Sequence, residues 1–202
     1  MKPSKTFNTR SLVLIAMLSA LSAVLMIFQF PLPFALPFYK VDISDVPALI
    51  GAFAISPLAG VIIELLKNIL HLLLQGSTTF TVGELANFLS GALLVFPAAL
   101  IYHHNKTRKS AIIGLVVATI IMSIASCFIN AYITLPFYIK ASTDYTMDGI
   151  VAWAGSVNGF VKNLFTYLVF LVLPFNIVKC FLSSVITMLL YKRVAPIMKK
   201  TH

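Results

Sequence analysis

Four ionisable side chains sit inside long apolar stretches of this chain: Glu64, Lys67, Glu84 and Lys179. An ionisable group at bilayer depth costs about 2.5–3.5 kcal/mol even on the lower scales, so each needs a partner or a polar cavity. Glu64 and Lys67 are three residues apart and His71 lies four beyond Lys67, which puts all three on one helix face. That face can neutralise itself as a packing cluster, or it can pass protons in a coupled carrier. Glu84 and Asn87 form a second pair at the same spacing, Asn176 and Lys179 a third, and Asn130 lies near the end of a separate apolar run. An asparagine amide presents a donor beside an acceptor, which matches a cyclic imide edge; Lys179 adds a donor for a carbonyl or ring nitrogen, and Glu84 accepts from hydroxyls. With Phe34, Phe38, Tyr39, Tyr132 and Leu135 to cover a flat ring, the set reads as a site for a mostly neutral heteroaromatic molecule bearing hydroxyls. The bland alternatives are separate packing hydrogen bonds and, for Glu84, a solvated helix start.

Enzyme chemistry finds less support. The sequence has no HExxH and no G-x-S-x-G, and His71, His103 and His104 are expected to lie toward other places than this ring-binding pocket. There is no G-x-x-x-x-G-K-[ST] phosphate cradle, so ATP coupling has to come from a partner. Cys127 and Cys180 both fall in apolar runs, where a thiol acts as a small buried hydrophobe; neither a disulfide nor a metal site is expected.

The elements that position these residues follow from composition. Of 202 residues 59% are apolar and only 10% charged, against about a quarter charged in soluble domains. Mean hydropathy is +0.97. The expectation is an all-α integral membrane bundle forming a single transmembrane domain over 1–202, and a span of about 20 residues allows roughly five to seven crossings. After a basic tail at 1–10, a first helix runs from Ser11 to Phe28, longer than a signal-peptide core and so read as retained. Residues 29–46 are too rich in proline for helix and read as an outer loop acting as a lid. A short second helix ends near Ile55, a third starts at Pro57 and runs to Leu74, a fourth covers Val82 to His103, and a fifth Ser110 to Leu135. Residues 136–173 read as an outer loop with a helical excursion over Gly149 to Leu173, and Pro174 opens a sixth span ending near Tyr191.

The net charge of +9 suits topology better than nucleic acid, because the cations cluster between apolar runs. With both termini inside, the inner segments hold Lys2, Lys5, Arg10, Lys106, Arg108, Lys109, Lys192, Arg193, Lys199 and Lys200, ten of the 15 basic residues. A seventh crossing would place the basic C-terminus outside, so six is the expected count. On the first helix Ala16, Ala20 and Ala23 with Ser19 form a small-residue face, and Ala16-x-x-x-Ala20 has the spacing that lets helices approach closely.

Several stretches, taken in order, resemble one family: Tyr39-Lys-Val-Asp-Ile-Ser-Asp-Val-Pro47, Glu64-Leu-Leu-Lys-Asn68, Gly83-Glu-Leu-Ala-Asn87, Asn130, and Pro174-Phe-Asn-Ile-Val-Lys179. The chain is similar along nearly its whole length to the riboflavin-specific S components of energy-coupling factor vitamin transporters. The resemblance implies a six-helix fold in the bacterial plasma membrane, multi-pass, with no catalytic activity and no cofactor, that captures riboflavin from the outer face. It implies flavin contacts at Asn130, Asn176 and Lys179, a cover from Tyr39, Lys40 and Val41, and motif positions at Glu84 and Asn87. It also implies docking through Ala16 and Ala20 onto a transmembrane coupling subunit that works with two ATPase subunits. The competing readings are an S component for another vitamin and a proton-coupled carrier using Glu64, Lys67 and His71.

Overall fold

The computed structural model describes residues 8–31, 39–76, 81–141 and 146–199, with the side chains of Pro31 and 192–199 left aside. Asn8 starts the first helix by accepting from the Ser11 amide at 2.8 Å, and α1 runs Thr9–Ile27. Two short strands follow, β1 Phe30–Pro31 and β2 Lys40–Val41, paired antiparallel with Phe30 opposite Val41. Then come α2 Asp45–Ala54, α3 Pro57–Gln75 and α4 Val82–Asn105. The fifth helix, α5 Arg108–Ile129, continues through a π turn at Asn130–Thr134 into α6 Leu135–Ala141. After α7 Met147–Val157 the chain re-enters helix at α8 Leu164–Tyr167, passes a second π turn at Leu168–Val172, and ends in α9 Leu173–Lys199.

Five of these helical stretches are long and apolar enough to cross a membrane: Thr9–Ile27, Pro57–Gln75, Val82–Asn105, Arg108–Ala141 and Leu164–Tyr191. The remaining expected span, the short second helix, is α2 and has only ten residues, about 15 Å of helix and half the hydrocarbon thickness. It is buried from Asp45 to Phe53 in the middle of the bundle, packed on α1, α3, α4 and α9. Its direction opposes α3: a Cβ on Gly60 would meet Ala48 and Ala52, and Asp45 reaches Lys67, midway along α3. The segment that enters α2 is therefore drawn into the bundle. Ser22 of α1 holds it there by donating to the Ser44 carbonyl at 2.8 Å. Non-helical backbone at such depth is stable only when protein or a polar cavity surrounds it.

α3 starts at Pro57, as the sequence reading has it, and α5 starts at Arg108, two residues before the expected Ser110. Ser56 accepts from the Ala59 amide at 3.1 Å just before Pro57, and Thr107 accepts from Ser110 at 3.1 Å. The two prolines read as boundaries do not act as such. The helix expected to stop by Pro136 continues to Ala141, and the one expected to open at Pro174 begins ten residues earlier, at an Asn163–Thr166 capping box. In both cases a π turn lies just before the proline, giving the chain room for a residue that has no amide hydrogen to donate. Asn158 also turns its side-chain amide onto the Phe170 carbonyl at 3.3 Å, the acceptor four residues before Pro174.

Two apolar clusters fill the bundle. One joins Leu49 and Phe53 of α2 to Ile63, Leu94, Leu115 and Met122 of α3, α4 and α5. The other gathers Tyr39, Val41, Leu135, Tyr167, Val172 and Phe175 around the two π turns, which pack on each other. Large apolar side chains such as Met17, Leu73 and Phe181 point outward, as a lipid-facing surface requires.

Candidate functional site

Each π turn orients an asparagine. The Asn130 amide donates to the Ser126 carbonyl and the Asn176 amide to the Val172 carbonyl, both at 2.8 Å and both four residues back. Using the nitrogen locally frees the side-chain oxygen to face away from its own helix. The Asn130 oxygen accepts from the Tyr39 hydroxyl at 2.5 Å, and Tyr39 in turn accepts from Tyr167 at 3.0 Å. The Tyr39 ring leans on Phe175, centroids 5.0 Å apart and planes inclined at 55°. Asn176 is buried, and its oxygen accepts no hydrogen bond among the described residues.

Beside this aromatic group lies an ionic one. Lys179 donates to the Asn87 oxygen at 3.2 Å and stands 3.7 Å from both Asp42 and Asp45. Asp45 also binds Lys67 at 2.7 Å, and Lys67 pairs with Glu64 at 2.5 Å. The Glu64 carboxylate fits because residue 91 of α4 is glycine; a Cβ there would overlap it. Asp42 further accepts from the Ser44 amide at 2.8 Å, which turns the chain into α2. These charges are nearly fully buried, a placement tolerable only for paired groups.

The structure thus brings Tyr39, Val41 and Asn130 together, sets Asn176 beside the Tyr39 partner Phe175, and joins Asn87 to Lys179. Lys40 contributes its backbone to the ladder and is half-buried. Glu84 lies 3.8 Å from His71. Glu64, Lys67 and His71 consequently do not make one relay: the first two are bound up with Asp45, while His71 turns to Glu84. Tyr132 does not cover the site; it is 76% exposed and stacks on Phe128. Leu135 is buried in the aromatic cluster, while Phe34 and Phe38 lie outside the described residues. Ala16 and Ala20 are exposed on α1, whereas Ser19 and Ala23, expected on the same face, turn into the bundle. Chemically the arrangement offers asparagine amides, the Lys179 ammonium and aromatic walls.

The family of ECF transporter substrate-specific components matches residues 10–191. The chain belongs to that family. It is a membrane transporter component and not an enzyme. Among curated proteins it is 37% identical to the riboflavin transporter RibU of Staphylococcus aureus, over 96% of this chain and 94% of that one. It is 32% identical to the riboflavin transporter FmnP of Bacillus subtilis, over 94% of each. A solved S component of a bacterial ECF transporter superposes with a TM-score of 0.73 at 36% identity, covering 94% of this chain and 98% of that chain.

Sequence reasoning about this S component missed Tyr167, Phe175, Asp42 and Asp45. The Asn163-x-x-Thr166 capping box was a readable signal for the helix that carries Tyr167. The two aspartates carried none, since in sequence they look like ordinary loop charges.

Proposed function

We propose that this S component binds riboflavin at the outer face of the bacterial plasma membrane and passes it inward in complex with a transmembrane coupling subunit and two ATPase subunits. The observation that carries this reading is that relatives named riboflavin transporters align over nearly the whole chain. The site chemistry supports it: Asn130 and Asn176 suit the imide edge of a flavin, Lys179 suits a carbonyl or ring nitrogen, and Tyr39 with Phe175 suits the ring face. Lys40 and Val41 anchor the base of the 29–46 lid through the short ladder, Tyr39 anchors it through Asn130, and Asn87 positions the Lys179 ammonium. Glu84 serves at the edge of the site, toward the ribityl hydroxyls.

Six crossings with both termini cytoplasmic fit the basic clusters, with α2 and its extended approach from Tyr39 together completing one crossing. α7 then lies in the outer segment between the fifth and last crossings. The exposed Ala16-x-x-x-Ala20 stripe is the surface on which the coupling subunit docks.

The deciding experiment is an absorption spectrum of the protein purified from flavin-containing cells. Bound flavin near equimolar with the chain is expected. A folded protein that neither carries flavin nor quenches added riboflavin fluorescence would overturn the reading.

A further inference from the structure

At the end of the bundle opposite the β1–β2 ladder, α4 and α5 meet in a tight turn. Lys106 takes a left-handed conformation, φ 49°, and its amide donates to the Tyr102 carbonyl. Ser110 ties the start of α5 to α4 by donating to the Ile101 carbonyl at 2.6 Å. One turn further, Gly114 lies so close to the Ala98 backbone that a Cβ would overlap its carbonyl. Between these ties a groove of about 690 Å³ remains, within the size range of small-molecule sites.

Its lining changes character along its length. Leu100 and Ile101 of α4 and Ile113 of α5 form one part; His104, Asn105 and Lys109 form the other. On each helix the polar member stands one turn from an apolar one, His104 from Leu100 and Lys109 from Ile113. Leu100 and Ile113 are about half exposed, so the apolar part opens toward the hydrocarbon. At the other part, exposed Lys106, Arg108 and Lys109 follow within four positions, and no carboxylate among the described residues pairs with them. The first turn of α5 adds amide groups with no helical acceptor and the positive end of its dipole.

We infer that this groove is a binding site for an anionic phospholipid. One acyl chain lies against Leu100, Ile101 and Ile113, and the headgroup phosphate meets Lys109 and the first turn of α5 in the field of Lys106 and Arg108. A zwitterionic lipid fills the same apolar wall, but its own cation cancels the field, so the three unpaired cations select for net negative charge. A basic cluster serving only to orient the chain in the membrane needs no groove.

The test follows the melting temperature of the detergent-purified protein while phosphatidylglycerol or phosphatidylcholine with identical acyl chains is titrated, alongside inorganic phosphate, with lipid retention read by native mass spectrometry. Phosphatidylglycerol should stabilise at lower concentration and be retained preferentially, and inorganic phosphate should do neither. The double variant Arg108→Gln, Lys109→Gln should weaken phosphatidylglycerol roughly fivefold per charge and leave phosphatidylcholine unchanged. Ile113→Trp, which fills the apolar wall, should weaken both lipids. Equal retention of the two lipids by the unsubstituted protein overturns the inference without any variant having to fold. An unchanged lipid preference in the charge variant, or stabilisation by inorganic phosphate equal to that by phosphatidylglycerol, overturns it as well.

Discussion

The Lys179 ammonium lies 3.7 Å from the Asp45 carboxylate, and Asp45 is at the same time held by Lys67 at 2.7 Å. The residue proposed to touch the ligand is thus also a counter-ion for the aspartate that opens α2. Lys179→Met should therefore do two things: lower riboflavin affinity roughly tenfold to hundredfold, from loss of a charged donor, and lower the melting temperature. Lys67→Met should lower the melting temperature alone, since Lys67 is enclosed by Asp45 and Glu64. Fluorescence titration beside thermal melts separates the two lysines. Unchanged affinity in folded Lys179→Met would make the ammonium purely structural.

Tyr39, just before β2, reaches Asn130 of one π turn and Tyr167 immediately before the other. Tyr39→Phe keeps the ring on Phe175 but removes the bonds to Asn130 and Tyr167. A net loss of about 1 kcal/mol corresponds to a roughly fivefold faster release of riboflavin. Stopped-flow fluorescence measures it; a dissociation rate equal to that of the unsubstituted protein would show that Tyr39 is no latch.

The division of α1 into an outward and an inward face gives a paired prediction. Ala16→Trp or Ala20→Trp should abolish cellular uptake while purified protein still binds riboflavin, because both alanines face outward. Ala23→Trp should instead destabilise the fold, since Ala23 is 1% exposed. Parallel loss of binding and uptake in the first two would place that face inside the fold.

How much of this could be read from sequence depended on how local the signal was. Ser56-Pro57 announced α3 because cap and proline act within one turn, and Asn130, Asn176 and Lys179 stood out because polar groups in apolar runs are conspicuous. Pro136 and Pro174 misled, because a missing amide hydrogen normally ends a helix and nothing nearby says that a π turn will absorb it. Asp42 and Asp45 were unreadable as buried groups for a different reason: their partners, Lys67 and Lys179, lie on other helices and only the fold brings them close.

Gly91 offers a test of the ionic core away from the ligand. Gly91→Ala should cost about 1–3 kcal/mol by pressing on the Glu64 carboxylate. Chemical denaturation of the detergent-solubilised protein reads this; stability within error of the unsubstituted protein would mean that Glu64 has room to move.

The π turns also bear on how relatives of this chain diverge. Each holds one residue more than α geometry needs, and an α-helix advances about 100° per residue. A π turn spreads the same rotation over one more residue, so deleting a single codon within Leu168–Val172 lets the helix close into α register and leaves Asn176 and Lys179 at nearly their present angle relative to Tyr167. One indel then removes the bulge that accommodates Pro174 while the binding face keeps its aim. Gaps in alignments at these two segments accordingly mark the gain or loss of a π turn with helical phase preserved.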